Sequence, residues 1–428
     1  MLGAATARAA AIDETLDALV ALERPAGGWT FAGPAGARPE PFTLVVKTAE
    51  HWLAPFGLAT WDLVVVRSPG TPAAGLLLLD GYRRTGRAAY LAAACRAGDL
   101  LVATELAHGG WFSELPVHDT ATPWWFRWTA DMRPMLDDDV TPGAIRLLLE
   151  LWNVTGEARY RTAAERGIDL VMRAQLVSGA WPLDARPRWL RRVHPHYEDQ
   201  AALNDGATPF AMTTLLVAAR TLGRPELVAA ARRAGDWLVS VQGATPHAGW
   251  AQQYAADGTP TVARRFELPA LASWETRHAI DALVALADAT GDRRYCTSAH
   301  AAARWLDAVR VGPACWARYY DLETGAPLFA DAAGRRVRSS VDARPGYSWL
   351  GEFGIPWTLR RFEIGAGTPP HRLPGDPGRC EEDPSPPRPL AGARALTADA
   401  AVVQAHESGP NVCARENSTR ATAWAAGS

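Results

Sequence analysis

Apolar and polar positions alternate along the chain with the period of a helix, and the pattern returns at a nearly constant distance. Four stretches contain a glycine, a short polar turn and an amphipathic run rich in Ala and Leu; they cover residues 84–105, 154–175, 221–242 and 289–310. Each follows another apolar run, such as PAAGLLLLDGYRR or PGAIRLLLELWN. Apolar residues that recur on one face at helical spacing predict an amphipathic helix. The pattern therefore predicts four helical hairpins.

One glycine and one tryptophan mark each predicted hairpin. The glycines recur at nearly equal separations; they are Gly86, Gly156, Gly223 and Gly291. Glycine adopts the left-handed conformation at low cost, so we predict that each caps the first helix of its pair. A tryptophan follows each glycine at a nearly constant offset; these are Trp111, Trp181, Trp250 and Trp316. Trp29 stands in the same way after a predicted helix at 11–23.

The repeat indicates the fold class. A period of about 70 residues with two helices in each unit is typical of an α/α toroid. We therefore predict an all-α toroid over residues 1–365, with the long loops on one face and a concave site there. Residues 366–428 are rich in Pro and Gly, and we predict a disordered tail.

Composition excludes several function classes. The net charge of −2 gives no indication of a nucleic-acid partner. No apolar run reaches the roughly 18 residues of a membrane span, and the N-terminus has no clear signal peptide. Five scattered cysteines without a CxxC pair argue against a disulfide framework or a zinc site, and Cys95 and Cys296 are interpreted as buried helix positions. Because Lys47 is the only lysine, cationic chemistry has to use Arg or His.

Carboxylates cluster before two of the predicted first helices. The stretch LDDDVTPGAI carries Asp137, Asp138 and Asp139, and Asn204 and Asp205 occupy the corresponding loop of the next unit. The separation of Asp139 and Asp205 along the chain is close to the repeat, so we expect them on the same face. One carboxylate is enough to cap a helix, and we predict that Asp139 does so. The remaining carboxylate oxygens suit Ca²⁺, which takes about six to eight oxygen ligands.

The next loop adds positive charge and aromatic rings. Arginines bind carboxylated substrates through paired hydrogen bonds, and Trp and Tyr offer flat faces to sugar rings. Packing of the tryptophans in the hairpins and ion pairs of the arginines with nearby carboxylates are the alternative interpretations. The candidate substrate contacts are Asp139, Asn204, Trp181, Tyr197, Trp250, Gln253, Tyr254, Arg265, Glu267, Arg277, Arg344 and Tyr347.

An ordered set of segments between about residues 100 and 355 resembles the pectic acid lyases of polysaccharide lyase family 10. The matching pieces include LDDDVTPGAIRLL, YEDQAALNDGAT, GWAQQY and VARRFELPAL. The resemblance implies an incomplete α/α toroid that cleaves polygalacturonate or oligogalacturonate by Ca²⁺-assisted β-elimination. It also implies that such a protein is exported or periplasmic, and we expect a monomer.

The resemblance assigns roles to individual residues. It implies that Asp137, Asp138 and Asp205 hold Ca²⁺ and that Arg264 removes the substrate proton. Asp138 stands where the family often has Asn. Arg265 stands where a small residue is common, so the base is open between the two arginines. A guanidinium is a weak base, and a purely electrostatic role for Arg264 is the alternative.

Three other functions are compatible with parts of the pattern. A toroidal glycoside hydrolase or epimerase would use two carboxylates or histidines, for which His194 and His196 are candidates. The stretch QLVSGAW looks like a triterpene cyclase repeat, but the acidic motif of those enzymes does not occur in MLDDDV. A toroid that binds pectin without cleaving it is the non-enzymatic alternative.

Overall fold

Helices form most of the structure, a computed structural model that describes residues 2–25, 27–29, 63–116, 131–193, 195–362 and 364. The predicted tail, 366–428, lies outside these residues. The helices are α1 Leu2–Leu22, α2 Thr71–Thr85, α3 Ala88–Thr104, α4 Val140–Thr155, α5 Ala158–Ala174, α6 Arg188–Val193, α7 Ala207–Leu222, α8 Pro225–Val241, α9 Ser273–Thr290, α10 Arg293–Ala308 and α11 Ile355–Arg361. The four predicted hairpins are α2–α3, α4–α5, α7–α8 and α9–α10.

The glycine of each hairpin turn is left-handed, as predicted. The φ angles are 71°, 73°, 67° and 70° at Gly86, Gly156, Gly223 and Gly291. The N–H of each glycine donates to a carbonyl four residues earlier in the first helix. This bond closes the last helical turn, and the second helix begins within three residues. The repeated glycine therefore sets the hairpin turn.

The repeated tryptophans are core residues. Trp111, Trp181, Trp250 and Trp316 are almost completely inaccessible to solvent. The indole N–H of Trp111 donates to the carbonyl of Leu101 at 2.8 Å, and that of Trp316 donates to Leu306. These acceptors lie in the second helix of the preceding hairpin. The indole of Trp250 likewise donates to Leu238, so these three rings fasten their loops to the helix that comes before them.

A tyrosine at the start of the second helix of a hairpin contacts the second helix of the preceding hairpin. Tyr160 donates to Oδ1 of Asp99 at 2.9 Å, and Tyr295 donates to Oδ1 of Asp236 at 2.9 Å. Arg159 lies over the Tyr160 ring and also donates to Asp99. The same arrangement repeats between α1 and α3. These tyrosine–aspartate contacts are a second repeat that the spacing of Gly and Trp did not predict.

Short antiparallel strands fasten the long connections. The strands are β1 Leu63–Val65, β2 Glu114–Pro116, β3 Ala201–Ala202, β4 Gln253–Tyr254, β5 Leu271–Ala272, β6 Trp316–Ala317, β7 Tyr319–Tyr320, β8 Phe329–Ala330, β9 Arg336–Val337 and β10 Leu350–Gly351. Pairs form between β1 and β2, β3 and β4, β5 and β7, β6 and β10, and β8 and β9. In three of these pairs, each strand comes from a different long connection. Loops far apart in sequence are thereby held together.

The chain divides into two compact units between Val171 and Met172. Helices α1 to α4 belong to the first unit and α6 to α11 to the second. In the described part of the chain, no helix is long and apolar enough to cross a membrane. Cys95 is free, but Cys296 and Cys315 are disulfide-bonded. The prediction against disulfides is wrong at these two positions, because sequence spacing does not report which thiols meet in the fold.

Candidate active site

Helices α4 and α7 begin from the same strained turn. Asp138 and Asp139 have φ angles of 47° and 58° before α4, and Asp205 and Gly206 have 48° and 77° before α7. Left-handed backbone costs an ordinary residue about 1–2 kcal/mol, and Asp, Asn and Gly tolerate it best. At Gly206 a Cβ would lie 2.1 Å from Cε2 of Phe210, so this position also requires a residue without a side chain.

Two threonines fix which aspartates correspond. Thr141 in α4 and Thr208 in α7 each accept a hydrogen bond from the backbone N–H of a repeated tryptophan. The separation of these threonines along the chain equals that of Asp138 and Asp205. Asp138 therefore occupies in the α4 turn the position that Asp205 occupies in the α7 turn, and Asp139 corresponds to Gly206. Sequence spacing alone offered no fixed reference contact.

Asp139 does not cap α4 with its side chain, although it occupies the N-cap position. A capping residue usually has extended backbone, which directs its oxygen to the free N–H groups of the first turn. Asp139 is left-handed instead, and its carboxylate forms an ion pair with Arg146 in α4. The predicted capping role is wrong for this reason. Its predicted contact with substrate stays a prediction.

Arg264 is held by two carboxylates in the second unit. Its Nη2 donates to Oδ2 of Asp205 at 2.9 Å, and its Nη1 donates to Oε1 of Glu267 at 2.9 Å. The side chain of Arg264 is 39% exposed, whereas those of Asp205 and Glu267 are 9% and 0% exposed. The guanidinium is thus held by two buried carboxylates, although the side chain as a whole is partly exposed. Glu267, a predicted substrate contact, is buried and positions Arg264 instead.

Arg318 is a second cation at this site, and the sequence did not single it out. It is buried, it donates to Oε1 of Glu275 at 2.7 Å, and its Nη2 lies 3.9 Å from Oδ1 of Asp205. Its guanidinium carbon lies 3.9 Å from the centre of the Trp274 ring. The position two residues after the repeated tryptophan carries a different residue type in each unit: Ser113, Leu183, Gln252 and Arg318. No repeated residue type therefore marked Arg318 as a site residue.

A chain of hydroxyl groups supports Glu267. Tyr347 donates to Oε1 of Glu267 at 3.0 Å, and the hydroxyls of Tyr347 and Tyr319 are 2.5 Å apart. Tyr319 donates in turn to Oε1 of the buried Gln252 at 2.6 Å. Tyr347, a predicted substrate contact, therefore also orients the carboxylate that holds Arg264. Tyr319 and Gln252 belong to the same support and were not predicted.

The local charges keep Arg264 protonated. Asp205, and then Glu267, raise the pKa of its guanidinium well above the usual value, against the effect of burial. The pKa of Arg318 is also raised well above its usual value: burial opposes the charged form, but Glu275 and the nearby tyrosines outweigh it. Burial raises the pKa of Tyr197 to about 12, although the nearby Arg264 acts in the opposite direction. Two guanidinium cations therefore flank Asp205 at neutral pH.

Several predicted substrate contacts are core residues instead. Trp181, Trp250, Gln253 and Tyr254 are buried and offer no face to a ligand. Nε2 of Gln253 donates to the carbonyl of Tyr197 at 2.9 Å. The Tyr254 hydroxyl accepts from the N–H of Ala251 and donates to the carbonyl of Val241. Their polar groups form hydrogen bonds with the backbone of the surrounding loops. Sequence alone suggested a ligand because the same residue types also suit contacts with sugars.

The remaining predicted contacts divide by exposure. Arg277 is buried, and its Nε lies 3.5 Å from Oδ2 of Asp281, an ion pair that replaces the predicted substrate contact. Arg265 is exposed, unlike its neighbour Arg264. Arg344 is partly exposed, and its guanidinium carbon lies 4.2 Å from the centre of the Phe266 ring. Arg265, Arg344 and the partly exposed Tyr197 stay predicted contacts.

The described residues do not form a calcium site on their own. No group of three or more His, Cys, Asp or Glu side chains in the described part of the chain is arranged to hold a metal ion. In the second unit, Asp205 is already balanced by Arg264 and Arg318. The buried side-chain amide of the adjacent Asn204 makes no hydrogen bond, so its oxygen is available as one further ligand. One carboxylate and one amide fall short of the about six to eight oxygens that Ca²⁺ takes.

Part of the sequence is similar to a known protein family. Residues 125–314 match the profile of the family described as pectic acid lyase. The resemblance to the pectic acid lyases is confirmed. The matched pectic acid lyase segment contains Asp205, Arg264 and Glu267, and it ends just before Arg318. No curated protein matches the sequence.

Solved structures support the fold. The family 10 polysaccharide lyase from Cellvibrio cellulosa is similar at 22% identity with a TM-score of 0.50, over 68% of this chain and 95% of that chain. A mutant of the family 10 polysaccharide lyase from Cellvibrio cellulosa in complex with trigalacturonic acid is similar at 21% identity with a TM-score of 0.51. The similarity covers 68% of this chain and 97% of that chain. Cellobiose 2-epimerase from Bacillus thermoamylovorans is similar at 13% identity with a TM-score of 0.52, over 78% of this chain and 77% of that chain. At these identities the similarity shows the fold alone, and it confirms the predicted α/α toroid class.

Proposed function

We propose that the protein is a polysaccharide lyase that cleaves polygalacturonate or oligogalacturonate by β-elimination. The observation that carries this proposal is Arg264, a partly exposed side chain held by buried Asp205 and Glu267 inside the segment that matches the pectic acid lyase profile. Arginine binds carboxylates through paired hydrogen bonds, and each sugar of polygalacturonate carries a carboxylate. The complex of the Cellvibrio enzyme with trigalacturonic acid supports the same class of substrate.

The reaction removes the proton at C5 and expels the glycosidic oxygen at O4. Negative charge develops on the uronate carboxylate in the transition state, and fixed cations stabilise such charge without reorganisation. Arg264 and Arg318 supply two such cations next to Asp205. Arg264 can accept the C5 proton only as a neutral guanidine. Its pairing with Asp205 therefore has to break when the substrate binds, and the guanidinium has to release one proton to solvent first; Arg318 then remains as the fixed cation. We keep Arg264 as the proposed base on that condition.

We further propose that a calcium ion binds together with the substrate. The predicted protein ligands are Asp137, Asp138 and Asp205. When bound, the ion would supply electrostatic stabilisation to the substrate carboxylate. Removal of divalent cations with EDTA should abolish product formation, and added Ca²⁺ should restore it. Equal activity with and without EDTA would remove calcium from the mechanism and leave the arginines as the cations.

The decisive experiment compares two neighbouring arginines. Parent protein, Arg264→Ala and Arg265→Ala are incubated with polygalacturonate, and the unsaturated product is followed by its ultraviolet absorbance. We expect product from the parent and from Arg265→Ala, and a loss of about 100-fold or more in Arg264→Ala. Arg265→Ala tests the other candidate base, which is exposed and adjacent, and a loss confined to Arg265→Ala would assign the role to Arg265. No product from the parent at any Ca²⁺ concentration would refute the lyase proposal.

The same assay separates the alternatives. A glycoside hydrolase or an epimerase forms no double bond, so reducing ends or an altered sugar would appear without ultraviolet absorbance. His196, its histidine candidate, is exposed and lies 3.2 Å from Glu198, whereas His194 is outside the described residues. Binding of polygalacturonate without any product would support the inactive pectin-binding homologue.

A further inference from the structure

The short helix α6 presents an unusual outer face in the connection between Trp181 and Asn204. Arg188, Trp189, Arg192 and Val193 are all exposed. Their spacing of one, four and five residues places them on one side of a helix. Trp189 is 58% exposed, and no other tryptophan in the described part of the chain stands among the exposed large apolar residues. An indole between two arginines is therefore open to solvent here.

The inner side of α6 is fastened to the turn that follows it. Arg186 donates to Oδ2 of Asp199 at 3.0 Å, and Nε of Arg191 lies 3.7 Å from Oδ1 of the same carboxylate. Nε of Arg191 also donates to the carbonyl of Arg186 at 2.9 Å. Asp199 further accepts from the backbone N–H of His196 at 3.0 Å. One carboxylate thus orients the helix, so its outer face has a defined direction.

The two outer arginines are uncompensated. Within the described part of the chain, Arg188 and Arg192 form no ion pair, unlike Arg159 with Asp99 or Arg166 with Glu105. Exposed Arg220 and Arg304 of the hairpins form none with the described residues either, but neither has an exposed tryptophan beside it. Positive charge without a protein partner favours an anionic ligand. Flat sugar rings stack on indole, and guanidinium groups bind carboxylates. The face combines the groups that an acidic sugar chain would contact.

The α6 face belongs to the same connection as the carboxylate that pairs with Arg264. The turn fastened by Asp199 continues into Tyr197, whose carbonyl accepts from Gln253. Strand β3, directly after that turn, pairs with β4, and Asn204 and Asp205 follow β3. The same connection therefore carries both the exposed arginines and the carboxylate that pairs with Arg264.

We propose that Arg188, Trp189 and Arg192 form an outlying subsite for the acidic sugar chain, one that holds units of a long substrate beyond those that react at Arg264. The inference rests on the proposed function for the identity of the sugar. A polymer contacts both places, whereas a short oligomer at Arg264 leaves the subsite empty. The subsite then contributes to binding of the polymer and not to the chemical step.

The test compares Trp189→Ala and the double variant Arg188→Gln/Arg192→Gln with the control Arg304→Gln, an exposed arginine of α10. Binding to polygalacturonate is measured by calorimetry, and turnover is measured on polygalacturonate and trigalacturonate. We expect each α6 variant to bind the polymer about 5-fold to 10-fold more weakly. Trigalacturonate turnover and the melting temperature should stay at the parent value, and Arg304→Gln should behave as the parent. Binding of the double variant should also depend less on salt.

Polymer binding by the α6 variants at the parent value overturns the subsite, and so does an equal loss in Arg304→Gln, which would indicate unspecific charge. If the parent forms no unsaturated product but its polymer binding still depends on α6, the subsite stands and the lyase proposal fails. If product forms and polymer binding is indifferent to α6, the lyase proposal stands and the subsite fails.

Discussion

Nη2 of Arg264 lies 2.9 Å from Oδ2 of Asp205, so the proposed base and a proposed metal ligand neutralise each other. Asp205 also holds one of the strained φ angles of the chain, 48°. Its side chain therefore supplies negative charge to the site, and its left-handed backbone forms the turn that starts α7. These two contributions can be separated by substitution.

Asp205→Asn should lose activity with little loss of stability. Asn tolerates the left-handed backbone but carries no charge, so we expect kcat/KM to fall by about 100-fold or more. Asp205→Ala should lose similar activity and also about 1–2 kcal/mol of stability from strain. Turnover and urea unfolding of both variants measure the two effects. Equal stability of the Ala and Asn variants would contradict the assignment of strain to this turn.

Tyr347→Phe should slow the reaction through Glu267. The variant removes the hydroxyl that donates to Glu267 and meets Tyr319, so Arg264 is held less firmly. We expect kcat to fall about 10-fold with little change in KM, and stability to fall by about 1–2 kcal/mol. Tyr320→Phe is the control, because that hydroxyl donates to the Val309 carbonyl. It should cost similar stability and leave kcat unchanged; a matching fall in its kcat would point to a general loss of packing.

Glu105→Gln should make stability less dependent on pH. Burial raises the pKa of Glu105 above its ordinary value of 4.5, although Arg166 opposes the shift. A raised pKa contributes stability below pH 4.5 that is lost as pH rises through the folded-state value. The next repeat already uses Gln175 with Arg233 in this place. Unfolding from pH 4 to pH 8 should show the variant gaining stability relative to the parent as pH rises, whereas exposed Glu157→Gln should run parallel to the parent.

Trp181→Ala should unfold the hairpin core and not merely weaken substrate binding. The ring is buried, and its backbone N–H is bonded to Thr208 in α7 at 2.9 Å. Loss of a buried tryptophan costs about 3–5 kcal/mol. Urea unfolding measures the loss, and Val177→Ala, at a fully exposed position, should have almost no effect. A stable Trp181→Ala protein with a raised KM would restore the predicted substrate contact.

The repeat could be predicted from the sequence because its signals are local. A glycine at a helix end and a tryptophan at a fixed offset depend on nearby backbone, and both behave as predicted. The long-range pairs could not be predicted in the same way. Tyr160 meets Asp99 across 61 residues, and Arg318 meets Glu275 across 43. Nothing in the spacing of either pair indicates contact.

The candidate site was predicted in part for the same reason. Arg264 came from a short segment with a family resemblance, and the structure adds what stands behind it. Buried polar residues were the main source of error. Gln253 and Tyr254 have the chemistry of ligand contacts, but they satisfy the backbone of their own loops. Residue type alone does not distinguish a group that faces solvent from one that faces the core.

The left-handed turn before α4 and α7 restricts which residues can start these helices. Asp, Asn and Gly are the residues that accept such backbone readily, and two of the three carry a side-chain oxygen. Exchange between Asp and Asn at Asp138 or Asp205 therefore changes charge while the helix start keeps its shape. A repeat with this turn can vary its electrostatics at a fixed place without any change in its geometry. Hairpins with the same geometry thereby supply positions at which polar chemistry can differ from one hairpin to the next.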